Sequence, residues 1–184
     1  MKLTELNRID RAAFVTVLGG VFEHSPWVAE RSFDERPFAG IGALHAAMVG
    51  AMTRAPGSEQ LALLQAHPEL AGRDASRGAM TSDSTREQGS AGLDQCSPSE
   101  LARITELNHR YQAKFGFPFI LAVKGRDRHA ILGEFARRVE QDRTMEFAEA
   151  MRQVAQIARF RLEALIECQG LPPRRKASAS AGWR

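Results

Sequence analysis

"SPSELARITELNHRYQAKFG", residues 97–116, carries the punctuation of a complete helix. Ser97 stands three residues before Glu100, the spacing at which a hydroxyl and a carboxylate cap each other's backbone at a helix start. Pro98 falls at the first helical position, where its missing N–H costs nothing. Gly116 supplies the residue that accepts a left-handed turn at the end. Start and stop agree, and similar signals recur on both sides.

Toward the N-terminus, "TELNRIDRAAFVTVL" sets Leu6, Ile9, Ala13 and Val17 at helical spacing and stops at Gly19-Gly20. "SPWVAERSF" begins with Ser25 as N-cap and Pro26 at N1. "IGALHAAMVGAMTRA" runs as a helix up to Pro56. "SEQLALLQAH" starts at the cap Ser58 and ends near His67, because Pro68 disfavours helical geometry in the residue before it. Toward the C-terminus, "DRHAILGEFARRVEQ" is capped by Asp127, and a last helix spans about Thr144 to Gln169 before Gly170. "FPFILAV", 117–123, is apolar, holds a proline and is too short for a buried helix, so it reads as a buried irregular connection. About seven to eight helices and no convincing strand pair give an all-α class.

The 184 residues suit one domain with a core that needs no staples. A compositional break near Gly170 divides a helical domain, 1–170, from the Pro-, Ser-, Ala- and Arg-rich tail 171–184, which is expected to be disordered. Two cysteines, Cys96 and Cys168, with no CxxC argue against a disulfide framework or a cysteine zinc site. A net charge of +3 does not point to nucleic acid. No secretory pattern follows Met1, and no apolar run is long enough for a bilayer, so no membrane association is expected and the cytoplasm is the expected compartment.

Three polar groups stand out. His67 in "AHPEL" lies at a helix end, where the last carbonyls want donors and the dipole favours a cation; structural terminator and working imidazole are both open. Ser84 and Glu87 in "STREQGSAGL" have the S-x-x-E spacing of a capping box, which would spend Glu87 on a backbone N–H. The competing reading puts Glu87 and Gln88 in the first turn of a helix, facing a pocket. Arg161 lies at the margin of the apolar stripe of the last helix, where arginines commonly snorkel. Buried there, it needs an acceptor. His24, His45, His109 and His129 read as boundary or surface residues. No H-E-x-x-H helix, Walker loop or G-x-S-x-G elbow is present.

In order along the chain, "LNRIDRAAFVTVLGGVFEHSPWVAE", "RPF", "AHPELAG", "STREQGSAGL", "LNHRYQAKFGFPFILAVKG" and "IARFRLEAL" closely resemble the 2-oxo-4-hydroxy-4-carboxy-5-ureidoimidazoline (OHCU) decarboxylase family over residues 6–166. The resemblance implies an all-helical homodimer with no metal or organic cofactor, acting in urate breakdown to give (S)-allantoin. It implies His67 and Glu87 as catalytic residues. Pro68, Ser84, Thr85, Arg86, Glu87, Gln88, Phe119, Ile120, Leu121, Ala122, Val123 and Arg161 are implied to bind substrate. Some eukaryotic relatives are peroxisomal; "GWR" at the end of this chain carries no S-K-L address.

The implied reaction removes CO₂ from a ring carbon that also bears a hydroxyl, beside a C=N carbon bearing the ureido group. A histidine whose ordinary pKa is about 6.5 suits both proton transfers. Glu87 is expected to orient it or to handle the second proton, with Arg161 and Gln88 holding the carboxylate and ureido groups. The alternatives are a helical module that binds a purine-breakdown product without turnover, and a nucleic-acid-associated protein using the basic tail.

Overall fold

The computed structural model describes residues 1–72 and 80–166. Nine α-helices order the described chain: α1 Leu3–Leu6, α2 Arg11–Leu18, α3 Trp27–Ser32, α4 Ile41–Thr53, α5 Gly57–Gln65, α6 Ser82–Ser90, α7 Pro98–Phe115, α8 Arg128–Arg138 and α9 Arg143–Leu165. No strand accompanies them among the described residues, and the all-α class holds. The tail 171–184 lies outside the described residues.

α7 is bounded as its sequence requires. Ser97 N donates to Glu100 Oε2 at 2.8 Å, Glu100 N donates to Ser97 Oγ at 3.3 Å, and Gly116 closes the helix at φ 80°. Asp127 and Asp142 cap α8 and α9 in the same manner, accepting from Ala130 N and Met145 N at 2.8 and 2.9 Å.

Other boundaries differ. The first stretch breaks in two, because Asp10 turns its carboxylate onto Ala13 N at 2.8 Å and starts a new helix at Arg11. An internal Asp can cap as readily as it can ride a helix face. Ser25 sits one residue outside the cap of α3, which falls on Pro26, and its carbonyl accepts from Val28 N at 3.1 Å. Pro56, not Ser58, holds the cap position of α5. The last helix ends at Leu165, with Ile166 extended, rather than at Gln169.

The core gathers round Tyr111, fully buried on α7. Its ring meets Phe115, Phe117, Phe119 and Phe135 at centroid distances of 4.5 to 5.8 Å, three of them edge-on. Phe119 in turn stacks on Phe135 at 3.9 Å. This packing explains why 117–123 is buried without being a helix: the aromatic side chains go into the core and pull the backbone with them.

A buried polar backbone needs partners, and one comes from an unexpected quarter. Arg138, on α8 and fully buried, donates to Ile120 O at 2.8 Å and lies over the Phe119 ring at 4.6 Å. Its charge is met by Glu146 on α9, also fully buried, which further accepts from the Tyr111 hydroxyl. Gln153 Oε1 accepts from Ala122 N at 3.0 Å. The irregular segment is thus held at a fixed depth by α8 and α9.

Removing one partner of a buried pair leaves the other charge uncompensated, at a cost of roughly 3–5 kcal/mol. Arg138→Leu is therefore expected to lower the unfolding free energy in urea by that amount, with part of it recovered by adding Glu146→Leu. A loss below about 1 kcal/mol would contradict the central place given to this pair.

Candidate active site

α5 ends at Gln65, and the chain turns through Ala66 to place His67 just past the last helical carbonyls. Its ring Nδ1 lies 2.9 Å from Leu63 O, one of the carbonyls left open by the helix end. A carbonyl oxygen only accepts, so Nδ1 carries the proton and Nε2 keeps its lone pair. Burial disfavours the charged ring, and although the Leu63 carbonyl and Glu23 favour protonation, the His67 pKa falls to about 4. The helix terminus did supply the acceptor that the sequence suggested, yet the imidazole beside it is neutral at pH 7.

After His67 and Pro68 the chain is pinned back. Leu70 O accepts from Asn108 Nδ2 at 3.0 Å, Glu69 O from Gln88 Nε2 at 3.2 Å, and Ala71 N donates to Gln88 Oε1 at 2.9 Å. These bonds hold Ala71 in left-handed geometry at φ 46°, costly for a residue with a Cβ. Gln88 is thereby engaged on both amide atoms and fixes the wall behind the histidine.

α6 begins at Ser82, two residues before Ser84. Thr81 is its cap, and Thr81 Oγ1 accepts from Ser84 N at 3.3 Å. Glu87 therefore lies in the second turn and is not part of a capping box. Its carboxylate meets Arg161 of α9 side-on, with Nε to Oε1 and Nη2 to Oε2 both at 2.9 Å. Arg161 is buried rather than snorkelling, at 7% exposure. Its remaining N–H groups reach Glu23 Oε2 at 2.7 Å, Ser84 Oγ at 3.2 Å and Gly20 O at 3.4 Å. All five guanidinium hydrogens are used. Burial works against its charge, and the Glu87 and Glu23 carboxylates outweigh that, raising its pKa.

Two adjoining cavities occupy this corner. The smaller, about 30 Å³, is walled by His67, Pro68, Ser84, Glu87, Gln88, Phe119, Ile120, Leu121, Val123 and Arg161. The larger, about 580 Å³, shares Glu87, Val123, Ile157 and Arg161 with it and adds Arg86, Ala122, Lys124 and Phe160. The first holds about one water and the second is of ordinary ligand size. The histidine lines only the smaller space, which Glu87, Val123, Ile157 and Arg161 join to the larger one. Among the described residues the backbone N–H groups of Ile120, Leu121 and Val123 meet no acceptor, so this wall offers donors.

Of the residues singled out in sequence, only Thr85 lines neither cavity. It is exposed, and its hydroxyl donates to Thr81 O at 2.9 Å. Arg86 reaches only the larger cavity and pairs with Asp83. Glu87 bonds Arg161, and among the described residues the only bond of the His67 ring is from Nδ1 to Leu63 O. Glu23 was not singled out, although it accepts from Arg161, Thr81 and Ser84. Its only sequence signal is a carboxylate set in the apolar "GGVFEHSP".

An all-helical scaffold with a neutral buried imidazole, a charge-satisfied arginine and an adjoining ligand-sized cavity has the groups that proton transfer on a small polar molecule requires. The family model described as OHCU decarboxylase matches residues 7–163, and the chain belongs to that family. It is 41% identical over 165 residues to the 2-oxo-4-hydroxy-4-carboxy-5-ureidoimidazoline decarboxylase of Halalkalicoccus jeotgali, covering 90% of this chain and 92% of that protein. The Haloferax volcanii protein of the same name is 42% identical over 162 residues, covering 88% and 94%. The crystal structure of an (S)-allantoin synthase superposes with a TM-score of 0.73 at 31% identity, covering 91% of this chain and 54% of that one.

A histidine held neutral by the fold ties stability to pH. The unfolded chain takes up a proton near pH 6.5 that the folded chain refuses down to about 4, so stability is full above that window and falls as pH drops through it. The loss from this group is about 3 kcal/mol once pH is below both values. In urea titrations between about pH 7 and 4, wild type is expected to lose more stability than His67→Asn by about that amount. Parallel pH dependences of the two proteins would refute the assignment.

Proposed function

We infer that this protein is the carboxy-lyase that converts OHCU to (S)-allantoin in urate degradation. The observation that carries the reading is His67, whose Nδ1–H is spent on Leu63 O, leaving Nε2 as a free base on a residue that lines the small cavity adjoining a ligand-sized one. The family to which the chain belongs supplies the substrate class.

His67 Nε2 takes the proton of the substrate hydroxyl as the bond to the carboxylate breaks and CO₂ departs. The released electron pair forms a ring C=C and displaces the C=N pair onto nitrogen. The imidazolium then returns its proton to the ureido-bearing carbon, from the one face it can reach, which fixes the S configuration. Solvent supplies the proton that balances the lost carboxylate charge. Because burial favours the neutral ring, the imidazolium is a strong acid, and the return step is downhill.

Arg161 and Glu87 orient the substrate more than they assist bond cleavage, since tight pairing of the departing carboxylate would favour the ground state. Pro68, Ser84, Gln88 and the 119–123 backbone complete the walls, with Arg86 at the mouth. The reading includes a homodimer, supported by the resemblance to the family, a catalytic unit of residues 1–170, supported by the compositional break near Gly170, and a cytoplasmic location, supported by two cysteines with no CxxC pattern. No described helix is long and apolar enough to cross a membrane.

The test generates the unstable substrate from urate in situ with urate oxidase and hydroxyisourate hydrolase. Its absorbance decay and the optical activity of the allantoin are then followed. Wild type is expected to speed the decay and give optically active product, and His67→Asn to slow turnover roughly 10²–10⁴-fold with the fold kept. Unchanged decay with racemic product in the presence of wild type would exclude the activity.

A further inference from the structure

We propose that Glu23 is a positioning residue of this site, a permanent buried anchor for Arg161 that leaves Glu87 as the partner exchanged for substrate; this rests on the decarboxylase reading. Glu23 lies in the connection between α2 and α3, with its side chain only 1% exposed. It accepts from Thr81 Oγ1 at 2.7 Å, Ser84 Oγ at 3.1 Å and Arg161 Nη1 at 2.7 Å. Thr81 caps α6, Ser84 stands in its first turn, and Arg161 belongs to α9. One carboxylate therefore joins the α2–α3 connection to both α6 and α9.

Burial alone would push the Glu23 carboxyl up. The Arg161 charge and the Thr81 hydroxyl bond overcome this and hold it below the usual range, so it stays ionised. Glu87 occupies the opposite edge of the same guanidinium. It is 29% exposed, lines both cavities, and makes the two parallel bonds that a substrate carboxylate makes with an arginine. Two carboxylates share one guanidinium, so a substrate carboxylate gains the Nε/Nη2 edge only when the carboxylate on it moves aside. Glu23 is enclosed by three donors, whereas Glu87 faces open space. When Glu87 yields the Nε/Nη2 edge, Glu23 keeps the guanidinium in place and still compensated.

Glu23→Gln and Glu23→Asp in the full chain test this. In Glu23→Gln, KM is expected to rise at least tenfold, and the Arg161 Nε–H to exchange with solvent at least tenfold faster in the ligand-free protein. The melting temperature is expected to fall, because one partner of a buried pair is lost, so KM and Arg161 exchange are read at a temperature where the variant is folded. Glu23→Asp keeps the charge but shortens the reach. It should show both changes at smaller size, and it carries the test if Glu23→Gln does not fold. Wild-type KM and wild-type Arg161 exchange in a folded variant would overturn the proposal. The exchange measurement needs no substrate, so it is read independently of whether the wild-type protein turns OHCU over.

Discussion

A guanidinium taken out of water must have its hydrogens satisfied and its charge met, and Arg161 draws the site together around that requirement. Its partners are Gly20 and Glu23 of the α2–α3 connection and Ser84 and Glu87 of α6. No two of these regions are neighbours of Arg161 in sequence, with separations of 74 to 141 residues. Burying one charge therefore fixes where α6 stands against α9, and with it the floor of both cavities. His67 is then enclosed from the other side by Phe119 and Pro68, and it loses its charge because it has no comparable partner.

The two ionisable centres thus divide their work by environment. Arg161 keeps its charge because two carboxylates outweigh its burial. His67 gives up its charge because a single neutral carbonyl and a more distant Glu23 do not. A neutral imidazole beside a compensated cation suits the proposed reaction, in which a hydroxyl proton is first removed and one is then returned to carbon. The second buried pair, Arg138 with Glu146, serves the opposite wall by holding Ile120 in place, leaving neighbouring backbone N–H groups turned to no other described residue.

Much of this was legible in the residues, and the losses have definite causes. The α7 boundaries followed from Ser97, Pro98, Glu100 and Gly116 because those signals are local and reinforce one another. Ser84 and Glu87 had capping-box spacing, but "TSDST" holds several competent caps, and the chain uses Thr81. Spacing alone cannot choose among them. Helical projection put Arg161 at the margin of its stripe and could not reveal acceptors far away in sequence. Glu146 does fall on the buried face of α9 with Ala150 and Val154, a signal that helical phase contained. Glu23 had no periodic context, so only the fold exposes its part. The pocket residues from His67 to Arg161 came from resemblance to a family, and the geometry shows how differently they are used: Gln88 braces a wall, Thr85 lies outside, and Glu87 pairs with Arg161 instead of the histidine.

The fold presets His67 as a neutral imidazole with its free lone pair on Nε2. Long-range ¹H–¹⁵N NMR of the ring at pH 7 reads this directly. The expected spectrum shows a protonated Nδ1 and an unprotonated Nε2, unchanged as pH is lowered to about 5, still above the pKa of about 4. A proton on Nε2, or an imidazolium at neutral pH, would contradict it.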